Sequence, residues 1–333
     1  MAEPDIPSLQ APSPVPPHAK YTIFRGPNGI RAGWRLLIFI LLIVGIVFIA
    51  ALPFALLRAA HRSDGVSFGI NASALTPEGT ALSEAILFLV PALAALIMAH
   101  IEHRQFGEYG LPARYAFRKH FWLGTLAGFV AISACLLGIF VFGGFRLTGL
   151  AIHGATIFWA TAAWSGTFLL VGLAEEFSFR GYLQYTLTTG IGFWPSAIIL
   201  SCLFGLAHSQ NPGESRFGLF SVVLFALLFC LFLRRTGNLW WAVGFHAGWD
   251  WGQTFFYGVP DSGLVPYHNL FNSTFSGSRW ITGGTVGPEA SVFTPIVLGI
   301  VAIWFSRVYR INQYMAAPAT AEIGMGMQVP QSQ

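Results

Sequence analysis

Eight apolar stretches recur along the chain, at about 34–57, 82–101, 121–143, 157–187, 193–209, 217–233, 238–257 and 291–307. A bilayer core takes about 20 apolar residues to cross, and inside it the backbone can satisfy its hydrogen bonds only as helix or closed barrel. The pattern therefore predicts an all-α, polytopic membrane protein of about eight transmembrane helices. Composition agrees, because 54% of residues are hydrophobic and 10% charged, against about 25% charged in soluble domains. The net charge of +4 does not indicate nucleic-acid binding, since the basic residues are scattered at the ends of apolar segments. Cys135, Cys202 and Cys230 all fall in apolar segments without a CxxC, and read as packing residues.

Charge bias orients the chain. With the N-terminus inside, twelve Lys and Arg fall on the inner side (Lys20, Arg25, Arg31, Arg35, Arg104, Arg114, Arg118, Lys119, Arg234, Arg235, Arg307, Arg310), and five fall outside (Arg58, Arg62, Arg146, Arg216, Arg279). Positive residues concentrate on the cytoplasmic side, so both termini are expected in the cytoplasm. Residues 1–30, with six prolines before Lys20, read as a disordered tail and not a cleavable signal. Residues 31–311 form the transmembrane domain, and 312–333 a second disordered tail without a prenylation box. The Gly-, Ser- and Asn-rich loop 258–290 has the length of a lid or of an unstructured connection.

Within segment four, a polar run interrupts the apolar one: Glu175-Glu176-Phe177-Ser178-Phe179-Arg180. Ionisable groups at membrane depth are costly and usually functional. Glu176 and Arg180 are one helical turn apart and can pair, whereas Glu175 points about 100° away and is left without a local cation. A continuous helix through Tyr185 to Gly190 would place Glu175 near mid-membrane, suited to act as a general base. The alternative is an interfacial helix end whose Arg180 snorkels to the headgroups.

Two further segments carry polar pairs at the same spacing: Phe204 with His208, and His246 with Asp250. On segment seven, Gly244, Gly248 and Gly252 make a small-residue stripe for a close helix neighbour. His246 and Asp250 lie out of phase with it and should face a separate polar cavity. Taken alone, His208 reads as a hydrogen-bonded interfacial histidine; three polar helices together argue for a site. The Gly65–Gly69 match to a nucleophile elbow lacks its strand-turn-helix context, and no HExxH is present.

In this order the motifs resemble those of the CAAX protease and bacteriocin-processing (CPBP) family of intramembrane proteases, over about residues 155–257. That resemblance implies a protease-like core in which Glu175 and His208 activate the attacking water. His246 and Asp250 would support the oxyanion, with Glu176, Arg180 and Phe204 in supporting roles. It implies as substrate a membrane-associated or lipidated protein or peptide, cleaved within the lipid bilayer. Asp250 stands where the prenyl-protease branch commonly has Asn. An ionised carboxylate would repel an oxyanion, so Asp250 is expected instead to accept a hydrogen bond from His246 and fix its tautomer.

Other functions fit the same residues. No cofactor is required by the first reading. A second makes Glu175, His208, His246 and Asp250 ligands of a zinc ion that activates water. A third is a non-proteolytic scaffold or transporter, against which stands the lack of paired broken segments in matching halves.

Overall fold

The computed structural model describes residues 22–26, 29–60, 74–211 and 213–314, with the backbone alone for 53–60 and 74. The tail up to Tyr21, the tail beyond Tyr314 and the Gly65–Gly69 stretch lie outside the described residues. A short antiparallel pair, β1 (Arg25–Gly26) and β2 (Gly29–Ile30), leads into α1 (Ala32–Ala60). The strand β3 (Ala74–Leu75) precedes α2 (Pro77–Glu102), and α3 spans Lys119–Val141. A longer strand, β4 (Phe145–Leu150), leads to α4 (Ala155–Arg180), α5 (Tyr182–Ile191) and α6 (Phe193–Ala207). Next come α7 (Arg216–Thr236) and α8 (Trp240–Asp250), which runs on as a π-helical segment, Trp251–Phe256. The strands β5 (Val265–Pro266) and β6 (Phe271–Phe275), a single turn α9 (Arg279–Thr282) and α10 (Phe293–Val308) complete the order.

The protein is a polytopic helical membrane protein. Among the described residues, five spans are long and apolar enough to cross a bilayer: Ala32–Leu52, Pro77–Glu102, Lys119–Val141, Ala155–Ile191 and Arg216–Thr236. The remaining apolar segments form shorter helices, α6, α8 with its π-helical continuation, and α10. Large apolar side chains such as Leu41, Ile86, Leu126, Leu203 and Ile300 are exposed on the outer faces, as hydrocarbon surroundings require.

Close packing sets the centre. A Cβ on Gly244 or Gly248 would strike the α3 backbone at Phe121 or Thr125, and one on Gly128 would strike α8 at Phe245. The expected small-residue stripe is therefore an α3–α8 contact, with α3 supplying matching glycines. Helix α4 lies on another side of α8, where Gly172 meets Val243. Helices α2 and α4 run parallel and in register: the Thr167 hydroxyl donates to the Pro77 carbonyl at 2.9 Å, and ten residues further along α4 the Phe177 ring meets Phe88 at 5.8 Å.

Two features depart from the sequence reading. Segment four is not continuous: Gly181, at φ −77° and ψ −120°, ends α4. Its missing Cβ would collide with the Phe177 carbonyl, so only glycine fits. Glu175 thus sits in the penultimate turn of α4, close to the middle of the Ala155–Ile191 span. Loop 258–290 is folded: β6 pairs antiparallel with β4 and β5 pairs parallel with β3. It forms a cap anchored on the π-helical end of α8, where the Thr254 hydroxyl donates to Asp261 at 2.7 Å.

Candidate active site

Three helices bring the sequence-predicted residues together. Glu175, Glu176 and Arg180 come from the end of α4, and His208 from the turn that closes α6. His246 and Asp250 come from the face of α8 opposite its glycines. The Glu175 carboxylate lies 3.6 Å from His246 Nε2 and 4.0 Å from His208 Nε2. These three side chains keep 19%, 12% and 17% of their surface accessible, while Glu176 and Arg180 keep none. The carboxylate free of a local cation is thus the one that stays accessible.

Each imidazole is oriented by its other nitrogen. His208 Nδ1 is 2.9 Å from the Phe204 carbonyl, which can only accept. A neutral His208 then presents the Nε2 lone pair toward Glu175, placing two acceptors side by side, an arrangement satisfied by a donor with two protons such as water. His246 Nδ1 is 3.1 Å from Glu176 Oε1, and its ring stacks on Phe229 with centroids 5.2 Å apart. Asp250 meets the same ring at its other nitrogen. It lies 3.4 Å from Nε2, on the same side as Glu175, and Glu176 reaches Nδ1 because α4 and α8 pack at that level.

The expected pair of Glu176 and Arg180 forms at 3.5 Å. Its geometry is loose, and Arg180 Nε and Nη2 have no hydrogen-bond partner. Part of that deficit is met by aromatic faces: the guanidinium carbon sits 4.4 Å from the Phe204 ring centroid and 5.7 Å from that of Phe229. Phe204 therefore orients His208 through its carbonyl and supports Arg180 through its ring.

Of the four residues considered as zinc ligands, Glu175 lies 3.6 and 4.0 Å from the two histidines and Asp250 lies 3.4 Å from His246. Zinc bonds of about 2.0–2.2 Å draw ligand atoms close together. Among the described residues, one group of three has donor atoms all within 4.8 Å of one another, and it is Asp250, Asp261 and Glu289. Asp261 and Glu289 belong to the cap and were not singled out from sequence. Burial pushes both carboxyls above their usual range, opposed at Asp261 by the hydroxyl of Thr254 and reinforced at Glu289 by Asp261.

Residues 157–252 match the Rce1-like family of type II CAAX prenyl endopeptidases. This stretch is a domain of the CAAX intramembrane protease family. The match begins in the second residue pair of α4 and ends just past Asp250, so the Rce1-like domain contains every motif of the site and excludes α1, α2 and the cap. Comparison with curated proteins finds no match.

Proposed function

We propose that the chain is an intramembrane endopeptidase that hydrolyses a peptide bond of a membrane-associated or prenylated protein or peptide, with Glu175 as the base. The observation that carries this reading is one accessible carboxylate facing two imidazoles from different helices, each imidazole held by its far nitrogen. Water between Glu175 and His208 gives its proton to the Glu175 carboxylate as its oxygen attacks the carbonyl carbon. Charge develops on the carbonyl oxygen, and His246, stacked on Phe229, stabilises it as the doubly protonated imidazolium, with Nδ1–H held by Glu176 and Nε2–H left to donate. Collapse of the intermediate breaks the C–N bond, and the leaving nitrogen takes the proton back from Glu175. Asp250, beside His246 Nε2, acts by holding that imidazole and not by contacting the oxyanion. The charge bias supports cytoplasmic termini, with Gly181 and the site-proximal end of α4 toward that side.

The test uses purified full-length protein in nanodiscs and a quenched fluorogenic peptide with an S-farnesyl cysteine near its C-terminus. Glu175→Gln keeps the shape of the side chain but cannot accept the proton, so turnover falls by about 10²-fold or more with an unchanged melting temperature. Turnover within a few-fold of the parent protein refutes the assignment.

A further inference from the structure

One carboxylate near this site belongs to no motif and lies outside the Rce1-like domain. Glu84 is on α2, in an apolar stretch, and its Oε2 is enclosed by protein without a hydrogen-bond partner. The register of α2 on α4 gives its level. Pro77 is paired with Thr167, and Phe88 meets Phe177. Seven residues on from Pro77 is Glu84, and seven on from Thr167 is Ala174, so Glu84 stands level with Glu175. The charges that reach it are Glu175 from α4 and His246 from α8. Helix α1, which also packs on α2, carries no ionisable residue between Arg35 and Arg58.

An enclosed carboxyl oxygen without a partner is costly, and an apolar side chain would fill the position without that cost. Two carboxyls at one level disfavour ionising together, so one proton shared between them lowers that cost. We propose that Glu84 is a positioning residue for the proton of catalysis, holding with Glu175 a pool that fills from the attacking water and empties onto the leaving amine. The pair begins with one proton, on Glu84. As the water O–H bond breaks, its proton goes to Glu175 and the new C–O bond forms. As the C–N bond breaks, the nitrogen takes one proton from the pair and the oxyanion re-forms the C=O bond, leaving the pair again with one.

This inference rests on the proteolytic reading, and its test has one arm that does not need turnover. Infrared pH titration of the full chain in nanodiscs follows protonated carboxyl stretches in the parent protein, Glu84→Gln and Glu175→Gln. The expected result is a carboxyl band at neutral pH that disappears in Glu84→Gln and shifts in Glu175→Gln. In the second arm, Glu84→Gln lowers kcat on the farnesylated peptide ten- to a hundred-fold, toward the low end of acid–base contributions. KM and melting temperature stay unchanged, one limb of the pH–rate profile is lost, and Glu84→Asp restores part of the rate. A band that ignores Glu175→Gln, or a Glu84→Gln enzyme with the parent kcat and pH profile, overturns the proposal. A parent protein inactive on the peptide while the band still couples Glu84 to Glu175 counts against the farnesylated substrate and supports the pair.

Discussion

The carboxylate clusters around Glu102 and around Glu175 are built to opposite standards. Around Glu102, at the end of α2, both oxygens are saturated. Arg35 pairs through Nε and Nη2 at 2.7 and 2.6 Å, Tyr182 donates at 2.5 Å and Tyr109 at 3.1 Å. Arg35 is further stacked near the Tyr182 and Tyr185 rings. Around Glu175 and Glu176, contacts run from 3.1 to 4.0 Å, and Glu176 Oε2 and two Arg180 nitrogens go without partners. Short, complete hydrogen bonding is what a buried ion pair needs to repay its desolvation. The Glu102 cluster meets that need and ties α1, α2 and α5 together. The Glu175 cluster does not, and incompletely satisfied polar groups beside accessible side chains are what a site leaves for substrate and water.

That contrast orders the substitutions. Glu176→Gln has the largest combined effect, because it removes the partner of Arg180 and the anchor of His246 together. We expect a loss of about 3–5 kcal/mol of stability, the range for stripping one member of a buried pair, and a fall in kcat per folded molecule. Melting curves and active-site-normalised turnover check both. Intact turnover per folded molecule would mean that Glu176 belongs with the structural cluster. Glu102→Gln should lose stability on the same scale, since Arg35 is left buried and half paired, with kcat per folded molecule unchanged. A drop in kcat without a drop in melting temperature would erase the distinction between the clusters.

Asp250→Asn should be milder, within about tenfold of the parent kcat, because the amide oxygen still accepts from His246. Bound metal, measured on the same sample by elemental analysis, sharpens the result: activity and stoichiometric zinc lost together would favour the ligand reading of Asp250.

The smallest effect concerns the cap. Asp261 and Glu289 are both shifted upward by burial, so the folded state binds protons more tightly than the unfolded chain. Their contribution is fully present below the ordinary carboxylate range and is lost as pH rises above it. Hydrogen exchange across 258–290 should accelerate from acid toward mildly alkaline pH. Glu289→Gln should flatten that dependence, and an unchanged slope would assign the opening to other groups.

Much of the site was readable from spacing alone. Pairs four residues apart share a helix face whatever the tertiary fold, so Glu176 with Arg180, Phe204 with His208, and His246 with Asp250 were each visible. The opposed faces of α8 were visible for the same reason. What escaped needed contacts between segments. Glu84 is one acid in an apolar run, and only the register of α2 on α4 shows its level. Glu102 finds Arg35 and Tyr182 at separations of 67 and 80 residues. Besides Asp250 on its own helix, His246 meets Glu176, 70 residues away, and local spacing cannot show a contact across helices. Gly181 looked like one small residue in a helical run, and its break depends on backbone angles that composition does not reveal. The cap pairs with β3 and β4 across more than a hundred residues, which its loop-like composition concealed.

The most direct test measures kcat and melting temperature side by side for Glu175→Gln and Glu102→Gln, in nanodiscs on the farnesylated peptide. The account predicts that Glu175→Gln melts like the parent protein and is inactive, while Glu102→Gln melts earlier and turns over normally per folded molecule. Glu175→Gln retaining turnover within a few-fold of the parent protein would contradict it.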